Sequence, residues 1–277
     1  CILFADDSTL SASFSRADME IAIKTNNELV SVNSWLDTNK ICMNADKTKV
    51  ITFSYKRHMD IPLLKIGNAN ITEVDSIKFL GMHLDRHLTF KYHVDYISTK
   101  ISKSIGILYK LKYFLPPEVL KIIYFSLVQP YIYYGIEAWF ASHKNVTDKM
   151  VVMQKTACRA INNLSYTGHT GIYFKSMNIL KIEDLYCFQI LVYMYKTVHL
   201  DHDKNLLEHL QHQSDMHLHS TRNRESFNIT RFNKAKSKFS IIYKGVKLWI
   251  SIPTIIKSAT FVSTYKSLSQ KKFIAQF

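Results

Sequence analysis

Near residue 90 the spacing of apolar side chains changes, and that change constrains the fold more than any other feature of the chain. Before it, apolar residues come in short runs at residues 50–54, 63–66, 71–74 and 77–84, which have the length and alternation of β-strands. After it, Val94, Ile97, Ile101, Ile105, Leu108 and Leu111 recur at intervals of three and four, the mark of a helix with one buried face. A chain that moves from strand period to helix period and stays there is expected to be α+β, with its strands gathered early.

The remaining elements follow from the same rules. Residues 2–4 and 9–14 flank Ala5-Asp6-Asp7-Ser8, the pattern of a hairpin with a tight turn. Ser15 is a plausible N-cap for a helix carrying Met19, Ile23, Leu29, Val32 and Leu36 and ending near Asp37, expected to pack on the sheet. Gly67-Asn68 supplies a turn. In the second part Pro116-Pro117 ends one helix and can start the next, strongly apolar over 119–128 until Pro130 interrupts it. Helices are expected at 146–163, 182–198 and about 263–273. Residues 201–226 are polar and rich in His, as a linker or mobile loop would be. A short basic and aromatic segment follows at 239–252, and no internal repeat or low-complexity tract occurs.

Composition narrows the partners. Hydrophobic residues make up 47% of the 277, enough for a sizeable core. A net charge of +14 with 16 Tyr and 16 Phe attracts polyanions, nucleic acid first among them, although loose binding to acidic surfaces fits the same numbers. Cys1, Cys42, Cys158 and Cys187 form no CxxC pair, which argues against a zinc ribbon or a disulfide framework and for a reducing compartment. No apolar run approaches the roughly 20 residues of a membrane span, and no basic-then-apolar signal opens the chain. An intracellular protein, in cytoplasm and nucleus and without a membrane partner, is expected. Cys1 falls inside a strand-like run, so the chain reads as cut from something longer.

Asp6 and Asp7 carry the chemistry. Two adjacent carboxylates at a hairpin tip repel one another unless a cation sits beside them. Magnesium takes one or two protein carboxylates, several waters and substrate phosphates, and a rigid tip presents the carboxylates in fixed positions for it. In two-metal phosphoryl transfer one ion activates the attacking hydroxyl and the other steadies the leaving group. The competing reading is an Asp-Asp surface turn, since Asp favours turns in any case.

Sequence context adds to this. Phe4-Ala5-Asp6-Asp7, after Ile2-Leu3 and before Ser8-Thr9-Leu10, resembles the catalytic hairpin of the reverse transcriptases of non-LTR (LINE-like, jockey-like) retrotransposons. Asn44-Ala45-Asp46-Lys47-Thr48-Lys49 is similar to that family's Asn-x-x-Lys-Thr segment, and Ile77-Lys78-Phe79-Leu80-Gly81 to its hairpin beside the primer terminus. Leu88-Thr89-Phe90 with His93 resembles the start of its thumb. Gln129-Pro130-Tyr131 through Tyr134-Gly135 and Trp139 resembles its Pro-x-x-x-Tyr-Gly-x-x-x-Trp region. Gln154-Lys155 with Arg159-Ala160-Ile161, and Tyr243-Lys244-Gly245 with Leu248-Trp249 and Ile252-Pro253, resemble the C-terminal parts of these polymerases.

The resemblance implies a partial polymerase palm of antiparallel β-hairpins with a packed helix at 1–86, a mostly helical thumb and connection at 87–200, and a polar linker with a basic C-terminal region at 201–277. It implies an RNA-directed DNA polymerase using two magnesium ions, deoxynucleoside triphosphates, an RNA template and a DNA primer. Asp6 and Asp7 are implied as catalytic metal ligands, Lys47 as the cation at the departing pyrophosphate, and Phe79, Leu80 and Gly81 as the primer-contacting turn. Lys47 also fits an ordinary solvent-facing lysine, and Phe79-Leu80-Gly81 an ordinary hairpin bend. The family's site needs a further Asp upstream, whereas Asp18, Asp37 and Asp46 read as cap, helix end and turn. The isolated chain is therefore expected not to polymerise, and the alternative is a non-enzymatic basic RNA-binding remnant of a degraded element.

Two further groups bear on binding. Lys91, Lys100, Lys103, Lys110 and Lys112 lie along the first thumb-like helix among Tyr92, Tyr96, Tyr109 and Tyr113, and read either as phosphate contacts without base readout or as a solvated face. Arg222, Arg224, Arg231, Lys234, Lys236, Lys238 and Lys244 interleave with Phe227, Phe232, Phe239 and Tyr243, as an RNA-holding stretch or an exposed tail. His209 and His212 share helix spacing within a His-rich run, but no cysteine joins them, and a loop is the plainer reading than a zinc site. Tyr131, Tyr133, Tyr134 and Trp139 read as core packing.

Overall fold

The computed structural model describes residues 2–4, 7–12, 19–41, 44, 46–53, 64–67, 69–142, 144–208, 210, 227–228 and 241–275. The fold is α+β, as its apolar spacing predicts, and divides into two compact units, Cys1–Thr89 and Phe90–Phe277.

In the first unit β1 (Ile2–Phe4) pairs antiparallel with β2 (Asp7–Thr9), Phe4 facing Asp7 in the register. Helix α1 (Met19–Thr38) contributes Leu29 to a small core. It packs on β4 (Lys65–Ile66), which turns through Gly67 at φ 55 into β5 (Ala69–Asn70). Leu64, Ile66 and Ile71 close that core, with Val50 against it. Asn26 on the helix accepts a hydrogen bond from the Lys65 amide at 3.0 Å, so one side chain fixes how helix and strand meet. Ser15, expected as the N-cap, lies outside the described residues.

Two strand expectations need correction. Between β3 (Lys49–Val50) and β6 (Thr72–Glu73) the ladder is parallel, not one of a set of antiparallel hairpins. Parallel neighbours need a crossover of about a dozen residues or more, and the chain from 51 to 71 supplies it. The run at 77–84 is two strands, β7 (Ser76–Phe79) and β8 (Met82–Asp85), folded about Leu80-Gly81. Among the described residues the four ladders remain separate two-stranded pairs. Asp85, 6% exposed, ends the unit: Oδ1 accepts the His87 and Thr89 amides and Oδ2 the Thr89 hydroxyl.

The second unit opens with α2 (Lys91–Leu111) and α3 (Pro117–Leu127), the latter with Pro at its first turn where no amide is needed. Pro130 does not break α3. The chain bends at Val128, and Pro130 sits in the first turn of α4 (Gln129–Tyr133). Gly135, at φ 61, then leads to α5 (Ile136–Trp139). Helices α6 (Lys144–Ile161), α7 (Gly171–Ser176) and α8 (Ile182–Leu200) follow. The polar segment at 201–226 is not wholly a loop, because it contains α9 (Lys204–Glu208). The basic and aromatic segment at 239–252 contains a helix, α10 (Ile241–Ile250), after which come α11 (Thr254–Lys257) and α12 (Val262–Ala275).

Helix α8 is the centre of this unit. Leu185, Tyr186, Phe188, Gln189, Ile190, Leu191, Val192, Met194 and Tyr195 are all buried, so it is covered around most of its circumference by α5, α6, α10 and α12. A Cβ on Gly245 would stand 2.8 Å from Met194 Sδ, so α10 approaches α8 as closely as it does because that residue has no side chain. Among the described residues no helix is long and apolar enough to cross a membrane.

Gln154, 2% exposed, ties three elements together. Its Nε2 donates to Tyr124 Oη on α3 at 3.1 Å and to the Leu180 carbonyl at 2.9 Å, and its Oε1 accepts the Ile182 amide, the first of α8, at 2.9 Å. Replacing Gln154 by Leu strands buried polar groups, each costing about 1–3 kcal/mol. Gln154→Leu is expected to lower stability by about 2–4 kcal/mol in urea unfolding with an unchanged m-value, and Tyr124→Phe by only about 1 kcal/mol.

Candidate functional site

Residues Ala5 and Asp6 are the two that separate paired Phe4 and Asp7, the commonest length for a hairpin connection. Asp7 opens β2, while Asp6 and the surroundings of the Asp7 side chain lie outside the described residues. The donor set is two neighbouring carboxylates, hard oxygen ligands that fit magnesium in type. Among the described residues no three or more His, Cys, Asp or Glu gather as a metal site. Asp37 is exposed near the end of α1 and accepts from Asn33 at 3.0 Å, and Asp46 is exposed in a turn, so neither is built as a third ligand.

Lys47 owes its place to Asn44. The Asn44 Oδ1 accepts the Lys47 amide at 3.1 Å, and the Asn44 carbonyl accepts both the Thr48 amide at 3.1 Å and the Thr48 hydroxyl at 2.9 Å. Asn and Thr are thus the residues that close this turn. Lys47, exposed between them, is the one whose type the turn does not require.

The second hairpin is strained. Leu80 and Gly81 have φ of 43 and 82, and positive φ at both central residues defines the type I′ connection that matches strand twist. Gly81 takes that conformation freely. Leu80 costs about 1–3 kcal/mol there, and a turn selected only for folding would carry Asn. Phe79 and Leu80 are half-buried and Gly81 is exposed, so the tip presents backbone flanked by apolar side chains.

On α2 the apolar face, His93, Val94, Ile97, Ile101, Ile105 and Leu108, turns inward. Lys91, Lys103 and Lys110 are exposed. Lys100 stands over the Tyr96 ring at 5.6 Å, and Lys112 over Tyr109 and Tyr113 at 5.2 and 5.0 Å, which braces both ammoniums. Asp95, an acid on this helix, is paired with Lys149 on α6 at 2.7 Å, leaving the face positive.

Several motif residues have structural tasks that their sequence spacing does not announce. Trp139 is fully buried and its Nε1 donates to the Tyr134 carbonyl at 3.0 Å, across left-handed Gly135. The core reading fails for its companions: Tyr131, Tyr133 and Tyr134 are 37%, 40% and 52% exposed, because the short α4 buries only Ile132. Arg159 donates to the Gly168 carbonyl at 3.1 Å. His199 and His202 lie against the rings of Tyr195 and Tyr193 at 4.6 and 5.6 Å. His209, His212 and the basic stretch from Arg222 to Lys238 lie outside the described residues, save Phe227 and Asn228. The bonds made by Asn44 and Asp85 were missed, although an Asn or Asp followed within three or four residues by Thr is a readable turn signal.

Burial pushes the Cys158 thiol up to about 11, against the pull of Arg159 and Asn162, and also raises Cys187. Both thiols stay protonated near neutrality and are poor nucleophiles.

The chain is similar to RNA-directed DNA polymerases of mobile elements. It is 23% identical over 162 residues to the RNA-directed DNA polymerase from mobile element jockey of Drosophila melanogaster, which covers 56% of this chain and 17% of the relative. It is 25% identical over 160 residues to the jockey polymerase of Drosophila funebris. It is also 25% identical over 186 residues to the probable RNA-directed DNA polymerase from transposon X-element of Drosophila melanogaster, covering 65% of this chain and 20% of that protein. The chain thus spans a fifth or less of the length of these curated relatives. The resemblance read from the motifs is borne out. No family model matches the chain, and no solved structure matches it.

Two outcomes follow from this geometry. Leu80→Asn is expected to stabilise the chain by about 1 kcal/mol in thermal melts, while Gly81→Val destabilises it. For Cys158 the raised value means a contribution to stability that is whole below about pH 9 and lost as pH rises towards 11. Labelling with N-ethylmaleimide at pH 8, read by peptide mass, is expected to be far slower at Cys158 in the folded chain than in urea.

Proposed function

We propose that this chain is the distal part of a retrotransposon RNA-directed DNA polymerase of the non-LTR type. Its first unit is the later part of the palm, and its second is the thumb with the C-terminal region. The reading is supported by the similarity to mobile-element polymerases. The observation that carries it is the β1–β2 register, which pairs Phe4 with Asp7 and so leaves Ala5 and Asp6 between the two strands.

Asp6 and Asp7 would hold magnesium. Bound there, two ions supply charge neutralisation of a triphosphate and activation of a primer 3′-hydroxyl. Lys47, on the turn that Asn44 closes, would serve a departing pyrophosphate as proton donor or counter-charge. The Phe79-Leu80-Gly81 tip orients the primer end through its backbone, the strain at Leu80 being retained for the apolar side chain it presents. The lysines of α2 hold phosphates of the duplex without reading bases. The partners are an RNA template, a DNA primer and deoxynucleoside triphosphates, met in cytoplasm and nucleus. The resemblance implies a further Asp from a strand upstream of the hairpin in the two-ion site, so these 277 residues by themselves are proposed to be inactive.

Primer extension on an RNA template with magnesium tests this, using the chain joined to its upstream coding segment. Asp6→Ala is expected to abolish extension, Asp7→Ala to cut it severely, and Lys47→Ala to lower kcat about 100-fold with KM little changed. The 277 residues alone are expected to give no template-dependent product. A folded joined chain that extends no primer would leave the non-enzymatic RNA-binding reading in its place.

A further inference from the structure

From residue 226 to 277 the chain carries ten Lys and Arg and not one Asp or Glu. Six of those lysines, at 244, 247, 257, 266, 271 and 272, lie in the described helical region spanning α10 to α12. Like charges gathered on packed helices repel one another, and an incoming polyanion relieves that repulsion.

At the end of α10 two of the ammoniums are held in place. Lys257 Nζ stands 5.7 Å over the Trp249 ring, and Lys272 Nζ donates to the Ser251 carbonyl at 3.0 Å. Beneath them Trp249 lies 6.2 Å from Tyr265, which stacks on Tyr195 of α8 at 4.2 Å. Burial, and then the charge of Lys272, depress the pKa of Lys257. Lys257 thus rests on a fixed aromatic platform and Lys272 on a backbone carbonyl, neither on a freely moving stem. Four residues beyond Lys257, Phe261 is 69% exposed.

We propose that the α10–α12 face is a nucleic-acid surface separate from α2, which holds single-stranded RNA with Lys257 and Lys272 on its phosphates and Phe261 stacked on a base. Exposed lysines 247 and 271 extend the positive face. Phosphate pairing and stacking are sequence-tolerant, so the surface retains a strand without selecting its sequence. The inference holds whether or not the chain polymerises. Ile255, 77% exposed beside Lys257, makes an anionic membrane the competing partner.

The test is fluorescence anisotropy of the full chain with a labelled mixed-sequence single-stranded RNA across a potassium chloride series, with circular dichroism melts of every variant. Lys257→Gln with Lys272→Gln is expected to weaken binding about tenfold and to flatten the salt slope by about 1.4, two phosphates at about 0.7 each. Phe261→Ala, at an exposed position that folding does not depend on, is expected to weaken binding about tenfold with the slope unchanged. Lys103→Gln with Lys110→Gln on α2 separates the two surfaces. Unchanged RNA affinity in Phe261→Ala overturns the proposal, as does an unchanged salt slope in a lysine pair variant that melts like the parent. So does a need for the same lysines in binding phosphatidylserine–phosphatidylcholine vesicles but not RNA.

Discussion

Everything in the second unit is arranged around a helix that could not begin without a borrowed acceptor. The first amides of any α-helix have no partner within it, and the first of α8 belongs to Ile182, which is fully buried. The Gln154 side chain supplies Ile182 with an acceptor and at the same time spends both of its own donor positions on Tyr124 and the Leu180 carbonyl. One amide group therefore sets the distance between α3, α6 and the start of α8. The helices layered on α8 inherit that geometry, including α10, which Gly245 brings against Met194.

The first unit is organised differently, through turns with little core. Its apolar cluster comprises Leu29, Leu64, Ile66 and Ile71 with Val50. Precision comes from short polar side chains that satisfy neighbouring backbone, Asn44 before β3 and Asp85 at the end of β8, and from backbone held in left-handed conformations at Leu80 and Leu88. Bulky residues rarely adopt such angles. A unit that keeps them at a hairpin tip and at its boundary gives up stability at the positions where the proposed chemistry asks for fixed backbone.

Much of this was legible in the chain. The helices α2, α3, α6, α8 and α12 follow the apolar spacing closely, because each buries residues three or four apart on one side, and α8 around most of its circumference. What escaped had a physical reason in each case. The polar composition of 201–226 hid α9, which buries Leu206 and little else. At 239–252 the amphipathic stripe of α10 was masked by its lysines, and Pro130 looked like a breaker although a proline in a first turn costs nothing. The parallel pairing of β3 with β6 is a long-range choice that no local pattern records. For the candidate site the motif order identified the hairpins, but not that Leu80 is strained, which is a property of backbone angles, while the Asn44 bonds that position Lys47 were readable in the Asn-to-Thr spacing and were missed.

That parallel pairing also imposes a sequence of events. During synthesis an antiparallel hairpin can close as soon as its second strand emerges, whereas β3 has to wait until residue 73 has been made and the chain between has turned back. Until then the strand that follows Lys47 lacks its ladder partner. The strand that follows the proposed leaving-group lysine is thus paired only after residue 73 has been made, and a ribosomal pause before that residue would delay its pairing.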